Sequence, residues 1–133
     1  MIIETPERPR KRNHSANEAR LQARCFQRCW NEYPETRKLL FHVANENDRA
    51  DSNAIQGAMR KSMGIIRGVA DLIMLIPRGK WHGLCVEMKD IDGYQRPEQK
   101  EWQALVESQG FRYEVIRDEE SFMALMDEYL NTK

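Results

Sequence analysis

Three charged residues near the middle of the chain have types and spacing that could support catalysis. Asp71 begins one apolar run, Glu87 and Lys89 end the next, and fifteen residues separate the two acids. A lone carboxylate is costly to bury in a sheet, whereas two carboxylates that converge can share a cation. Hard divalent cations take oxygen ligands. The arrangement is therefore typical of a metal-dependent phosphodiesterase, although each acid could also be a polar strand end.

Two roles are open to Lys89 beside such a pair of acids. It could act as a general base if its pKa were lowered toward neutrality, but two nearby carboxylates favour the charged form. We therefore expect an ammonium group that orients the attacking water and stabilises the charge developing on the phosphate. A bound metal ion would lower the pKa of that water and neutralise the phosphate.

A β-hairpin is the element that must position these side chains. Residues 71–76 form an unbroken apolar run, residues 78–80 are typical of a turn, and residues 81–89 alternate between two faces. Glu87 and Lys89 fall on the same face of the second strand. Neighbouring strands lie ~4.8 Å apart, so carboxylates at the open end of the hairpin can reach one cation. The opposite face of that strand carries Leu84, Val86 and Met88.

The order of elements along the chain predicts an α/β fold with a four-stranded mixed sheet flanked by helices. Apolar periodicity and capping signals give helix, strand, helix, strand, strand, helix, strand, helix, with a polar loop at 45–53. We expect residues 1–14 to be a basic flexible arm and residues 15–133 to be one domain. The expected helices are 15–33, 54–63, 97–109 and 118–130, and the expected strands are 39–44, 71–76, 81–89 and 111–117.

Composition excludes some classes and leaves others open. The 133 residues are 41% hydrophobic and 32% charged, and no apolar run approaches the ~20 residues that span a bilayer. The formal net charge is zero, so any nucleic-acid contact must come from local patches, which could equally be solvated faces. The basic patches are Arg8, Arg10, Lys11 and Arg12, followed by Arg60, Lys61 and Arg67.

The cysteines indicate a reducing, cytoplasmic setting. The count is three, with no framework spacing. Cys25 and Cys29 lie four apart on a predicted helix, and Cys85 lies in a predicted strand. A zinc site would need a second pair of ligands, so we interpret these thiols as buried and inert.

Other polar residues have both a structural and a functional interpretation. Ser15 and Glu18 have the spacing of a capping box, which makes Glu18 a helix cap on spacing alone. Gln99 lies on a helix and is either solvated or, beside an acidic metal site, able to hold a phosphate or the attacking water. His42 is interpreted as a satisfied core histidine.

Five pieces of the sequence, in this order, resemble the VRR-NUC domain (virus-type replication-repair nuclease) of the PD-(D/E)XK nuclease superfamily. The resemblance runs from about residue 17 to residue 130, and Gly110-Phe111-Arg112 with Val115 matches the family's closing strand. In the place of the superfamily's proline stands Ala70, a position that varies among family members. The pieces are Asn17-Glu18 with Gln22, His42 to Glu46, Gly68 to Leu72, His82 to Lys89, and Pro97-Glu98-Gln99 with Trp102.

The resemblance implies a restriction-endonuclease-like core and assigns the site. It implies metal ligation by Asp71, Glu87 and the backbone carbonyl of Met88, and it makes Lys89 the catalytic lysine. It also turns Glu18 from a helix cap into the first acidic residue of the site and a further ligand. Gln99 is placed in the site as well.

The same resemblance implies a Mg²⁺- or Mn²⁺-dependent DNA endonuclease. Stand-alone bacterial and phage members resemble structure-selective enzymes that act on branched DNA, including Holliday junctions in DNA repair. A two-fold junction needs paired cuts, which a homodimer would supply. The alternatives are a catalytically inactive DNA-binding module of the same fold and a sequence-specific restriction-type nuclease. We expect no membrane partner.

Overall fold

The computed structural model describes residues 13–44 and 54–133. The predicted basic arm up to Arg12 and the predicted loop at 45–53 lie outside these residues, and the division into arm and domain stays a prediction. The elements are α1 (His14–Glu32), a 3₁₀ turn (Pro34–Thr36), β1 (Leu40–His42), α2 (Ala54–Ser62), β2 (Leu72–Met74), β3 (Leu84–Met88), α3 (Pro97–Ser108), β4 (Arg112–Ile116) and α4 (Glu119–Leu130).

The four strands form one mixed sheet in the order β1-β2-β3-β4, which confirms the predicted fold class. The first three strands pair antiparallel, and β4 pairs parallel to β3. A parallel pair needs a crossover connection, which α3 provides. Strands β1 and β2 are three residues long, shorter than predicted. Their pairing still reaches further, since Val43 N–H donates to the Asp71 carbonyl over 3.1 Å.

The sheet lies between two helical layers. Leu84, Val86 and Met88 pack with α1 and α4 in the main core, as the predicted alternation requires. Cys85 faces the other way and packs with Tyr113 and, from α3, Trp102. Glu87 shares the strand face of Cys85, so it points to the α3 side of the sheet.

The first helix begins differently from the prediction. Asn13 is the N-cap, and its side chain accepts from Ala16 N–H over 3.1 Å. The predicted capping box of Ser15 and Glu18 is therefore wrong, because Asn13 is an equally good cap and lies two residues earlier. Glu18 is left inside the helix, one turn from its start, with its side chain available for another partner.

Candidate active site

Asp71 and Glu87 meet at the open end of the β2–β3 hairpin. Leu72 pairs with Val86, and the same register carried one step outward sets Asp71 opposite Glu87. The two carboxyl groups are close enough that each affects the pKa of the other. Asp71 Oδ2 also accepts from Met88 N–H over 2.7 Å. Because the N–H and C=O of one strand residue point to the same side, the Met88 carbonyl faces the Asp71 side as well.

The electrostatics of this pair show the cost of bringing two acids together. Burial, and after it the Asp71 charge, raises the pKa of Glu87 to about 8, while the Lys89 ammonium opposes the shift. Burial also raises the pKa of Asp71, against the hydrogen bond from Met88 N–H. Glu87 is 2% exposed and Lys89 is 4% exposed. A bound cation would relieve both carboxylates.

Gln99 lies in the first turn of α3 and reaches Glu87. Its Oε1 accepts from Arg96 N–H over 2.8 Å, and its Nε2 donates to Glu87 Oε1 over 3.0 Å. The bond to Arg96 fixes which end of the amide faces the acid. Gln99 is buried, so the solvated interpretation is wrong.

Tyr113 of β4 also contacts Glu87, and sequence reasoning missed it. Its hydroxyl donates to Glu87 Oε2 over 3.0 Å. The pairing of Tyr113 with Cys85 brings it to this face. Alternation along β4 could have suggested which face of the sheet Tyr113 lies on. The sequences of β3 and β4 do not determine the register between them.

Glu18 approaches the pair from α1. Its Oε1 accepts from Asp90 N–H over 3.2 Å, and its charge contributes to the raised pKa of Asp71. The residue thus bridges the first helix and the turn that follows Lys89. Gly93 in that turn lies so close that a Cβ there would be 3.4 Å from Glu18 Oε1.

His42 is exposed at the edge of the sheet, so its interpretation as a core histidine is wrong. Its Nδ1 donates to the Asp71 carbonyl over 2.7 Å. Its proximity opposes the burial that raises the pKa of Asp71. The error has a simple cause, since β1 is a short edge strand in which Leu40 is buried while Phe41 and His42 are both exposed.

A second polar cluster lies beside Glu18. His14 Nδ1 is 3.0 Å from Asp90 Oδ2 and 3.4 Å from Asp92 Oδ1. Asn17 Nδ2 donates to the same Asp90 oxygen over 2.9 Å. Across residues 13–44 and 54–133, this is the group of three His, Cys, Asp or Glu side chains whose ligand atoms lie within 4.8 Å of one another, so it could hold a metal ion.

Comparisons with known proteins identify the family and support the fold. The family profile of the VRR-NUC domain matches residues 8–119. The chain belongs to the VRR-NUC domain family. A solved structure titled "VRR_NUC domain protein" superposes with a TM-score of 0.69 at 24% identity, covering 86% of this chain and 88% of that chain. No curated protein sequence matches.

The VRR-NUC domain is a nuclease-type domain, which supports a DNA nuclease. The acid pair of this chain fits a hard divalent cation in two respects. Asp71 and Glu87 converge, and the atoms that they offer as ligands are oxygens. The cluster at His14 is more exposed than the acid pair, since the side chains of His14 and Asp92 are 47% and 58% exposed.

Three of the basic residues predicted to contact DNA lie in the described part of this VRR-NUC domain. Arg60 and Lys61 lie in the last turn of α2, and Arg67 precedes Gly68 with its guanidinium 4.0 Å from Glu98 Oε1. Gly68 has φ +83°, and a Cβ there would lie 2.4 Å from the Glu98 carbonyl oxygen. Arg67 therefore lies against the α3 turn that carries Gln99. Arg8, Arg10, Lys11 and Arg12 lie outside the described residues.

The three thiols of the VRR-NUC domain are buried and free, as predicted. Burial raises the pKa of Cys25 to about 12 and that of Cys85 to about 11, and it also raises the pKa of Cys29. Thiols with raised pKa values are poor nucleophiles and poor metal ligands.

Among the described helices, none is long and apolar enough to cross a membrane.

Proposed function

We propose that this chain is a Mg²⁺- or Mn²⁺-dependent DNA endonuclease that hydrolyses phosphodiester bonds. The observation that carries the proposal is the meeting of Asp71 and Glu87, both with raised pKa values, beside the buried Lys89. Burying two acids side by side costs free energy, and such groups cluster at functional sites. Sharing a hard cation would offset that cost.

Asp71, Glu87 and the Met88 carbonyl would hold the cation. When bound, the cation would polarise the scissile phosphate and lower the pKa of an attacking water. Met88 N–H anchors Asp71, so one residue of β3 both fixes a carboxylate and offers a carbonyl to the same side. Glu18 would complete the acidic site from α1.

Lys89 would act on the substrate as an ammonium. Its charge opposes the raised pKa of Glu87, so the two groups lie close enough to interact. An ammonium beside a carboxylate pair is suited to orient the attacking water and to stabilise the extra negative charge on the phosphate. Gln99 would keep Glu87 in place through its 3.0 Å hydrogen bond.

We further propose that the substrate is branched DNA and that the active form is a homodimer in the cytoplasm. Arg67, Arg60 and Lys61, with Arg8, Arg10, Lys11 and Arg12 of the N-terminal region, would contact phosphates. Such contacts are largely blind to sequence and strongly salt-dependent, as expected of an enzyme that recognises shape. Two sites related by a dyad would match the symmetry of a four-way junction.

A cleavage panel tests the proposal. The wild-type chain is incubated with an immobile four-way junction, a flap, a linear duplex and a single strand, in Mg²⁺, in Mn²⁺ and in chelator. We expect metal-dependent cutting of the branched substrates. Lys89→Ala and Glu87→Gln should bind the junction as tightly as wild type and leave it intact.

The same panel separates the alternatives. A catalytically inactive DNA-binding module would bind every branched substrate and cut none in either metal. A restriction-type nuclease would cut linear duplex at one sequence and ignore branch structure. Light scattering of the full chain with and without junction DNA tests the homodimer.

A further inference from the structure

Glu87 is held by a buried hydroxyl that the proposed chemistry does not use. Tyr113 is 6% exposed, and its hydroxyl donates to Glu87 Oε2 over 3.0 Å. On the other oxygen of the same carboxylate, Gln99 Nε2 donates over 3.0 Å. Two donors from two elements, β4 and α3, therefore fix the plane of the carboxylate. A carboxylate has about four lone-pair sites, so one on each oxygen is left for a cation.

The neighbours of Tyr113 determine where its proton points. Gln95 Nε2 donates to the Tyr113 oxygen over 3.2 Å and to Gln103 Oε1 over 2.9 Å. A phenol has one proton, and here its oxygen already accepts from an amide, so the proton is directed at Glu87. Trp102 packs beside the ring, with centroids 6.2 Å apart, which restrains the ring as well.

We propose that Tyr113 is a positioning residue that holds Glu87 in the geometry of a cation ligand, and that Gln95 orients the Tyr113 hydroxyl. This inference rests on the proposed function, since it requires Glu87 to bind a divalent cation. Partners that hydrogen-bond to metal ligands typically change metal affinity or activity by about 10–100-fold when they are removed. Tyr113→Phe keeps the ring and removes only the donor.

Tyr129 supplies a matched control. Its hydroxyl is buried too and donates to the Ile76 carbonyl over 2.6 Å, within the other core cluster. Tyr129→Phe therefore removes a buried tyrosine hydrogen bond without touching Glu87. Any effect of Tyr113→Phe that comes from lost stability alone should appear in Tyr129→Phe as well.

The test is Mn²⁺ binding to the full chain by calorimetry, for wild type, Tyr113→Phe, Gln95→Leu and Tyr129→Phe. We expect Tyr113→Phe to weaken Mn²⁺ binding about tenfold. Gln95→Leu should weaken it in the same direction but by less than Tyr113→Phe, because the hydroxyl survives but loses its orientation. Tyr129→Phe should bind Mn²⁺ like wild type. In cleavage assays, Tyr113→Phe should regain activity at high Mn²⁺ with an unchanged KM for DNA.

The results distinguish failure of this inference from failure of the proposed function. If wild type binds Mn²⁺ and Tyr113→Phe binds it equally well, this inference is overturned and the proposed function stands. If wild type binds no Mn²⁺, both are overturned. Should Tyr113→Phe fail to fold, Gln95→Leu decides, because unchanged Mn²⁺ affinity in that variant also overturns the inference.

Discussion

The backbone N–H of Met88 donates to Asp71 Oδ2 over 2.7 Å, which ties the first acid of the site to the strand that carries the second. The bond fixes one oxygen of Asp71, while burial raises the pKa of the whole group. The site therefore combines precise placement with unfavourable electrostatics, a combination found where function has been favoured over stability.

Asp71→Asn should stabilise the metal-free protein and abolish cutting. Asn keeps an oxygen that can accept from Met88 N–H, and its amide can donate to Glu87 in place of a repelling charge. We expect a gain of about 1–2 kcal/mol in the free energy of unfolding at pH 8. Calorimetric melting in chelator measures it. The exposed Glu101→Gln is the control, with a change below about 0.5 kcal/mol.

Stability of the metal-free protein should fall as pH rises from about 4.5 to about 8. Burial and the Asp71 charge raise the pKa of Glu87 from 4.5 to about 8, so in this range the unfolded chain releases a proton that the folded chain keeps. The slope from one such group is at most about 1.4 kcal/mol per pH unit, with stability lost toward high pH. Urea unfolding at several pH values in chelator checks this.

Glu87→Gln should flatten that slope, because an amide does not titrate. Saturating Mn²⁺ should flatten it in wild type if the cation binds the ionised pair. A wild-type protein that becomes steadily more stable from pH 5 to pH 8 in chelator would contradict the assigned direction of the shift.

Gly68→Ala should destabilise the protein and disturb the site. Gly68 has φ +83°, and a Cβ there would lie 2.4 Å from the Glu98 carbonyl oxygen, in the α3 turn that carries Gln99. We expect a loss of about 2–3 kcal/mol and weaker Mn²⁺ binding. Gly57→Ala is the matched control, since it lies inside α2 with nothing within 4 Å of a new Cβ. It should gain about 0.5–1 kcal/mol.

The sequence predicted the fold well because its periodicities are local. The strand run that begins at Asp71 and the alternation through Glu87 lie within one hairpin, so their spacing alone brings the two acids to the same end. The mixed four-stranded sheet flanked by helices also follows from element order. These are the features in which neighbouring residues determine structure without help from distant ones.

The features of the site that the sequence did not predict depend on contacts between distant elements. Tyr113 reaches Glu87 only through the β3–β4 register, and Glu18 reaches Asp90 across 72 positions of the chain. The capping prediction failed because two good caps lay close together and spacing could not rank them. His42 was misplaced because a strand pattern does not tell an edge strand from a central one.

Arg67→Gln should weaken DNA binding and reduce its salt dependence. Arg67 is exposed and lies beside the α3 turn of the site, where a phosphate of bound DNA could reach it. Losing one phosphate contact should lower the slope of log affinity against log salt by about 1. Lys80→Gln removes a charge at the far end of the hairpin and is the control. Equal slopes for Arg67→Gln and wild type in a titration by fluorescence anisotropy would exclude the contact.

Glu18→Gln should separate the structural from the catalytic use of this acid. Glutamine keeps an oxygen that can accept from Asp90 N–H, so the free energy of unfolding should change by less than about 0.5 kcal/mol. Removing the charge should nonetheless lower kcat at least about tenfold, since the acidic site loses one carboxylate. Glu18→Ala should lose about 1 kcal/mol more, because Asp90 N–H then lacks this acceptor. Glu32→Gln, at the other end of α1, controls for charge. Wild-type kcat in Glu18→Gln would make the residue a structural partner of the Asp90 turn alone.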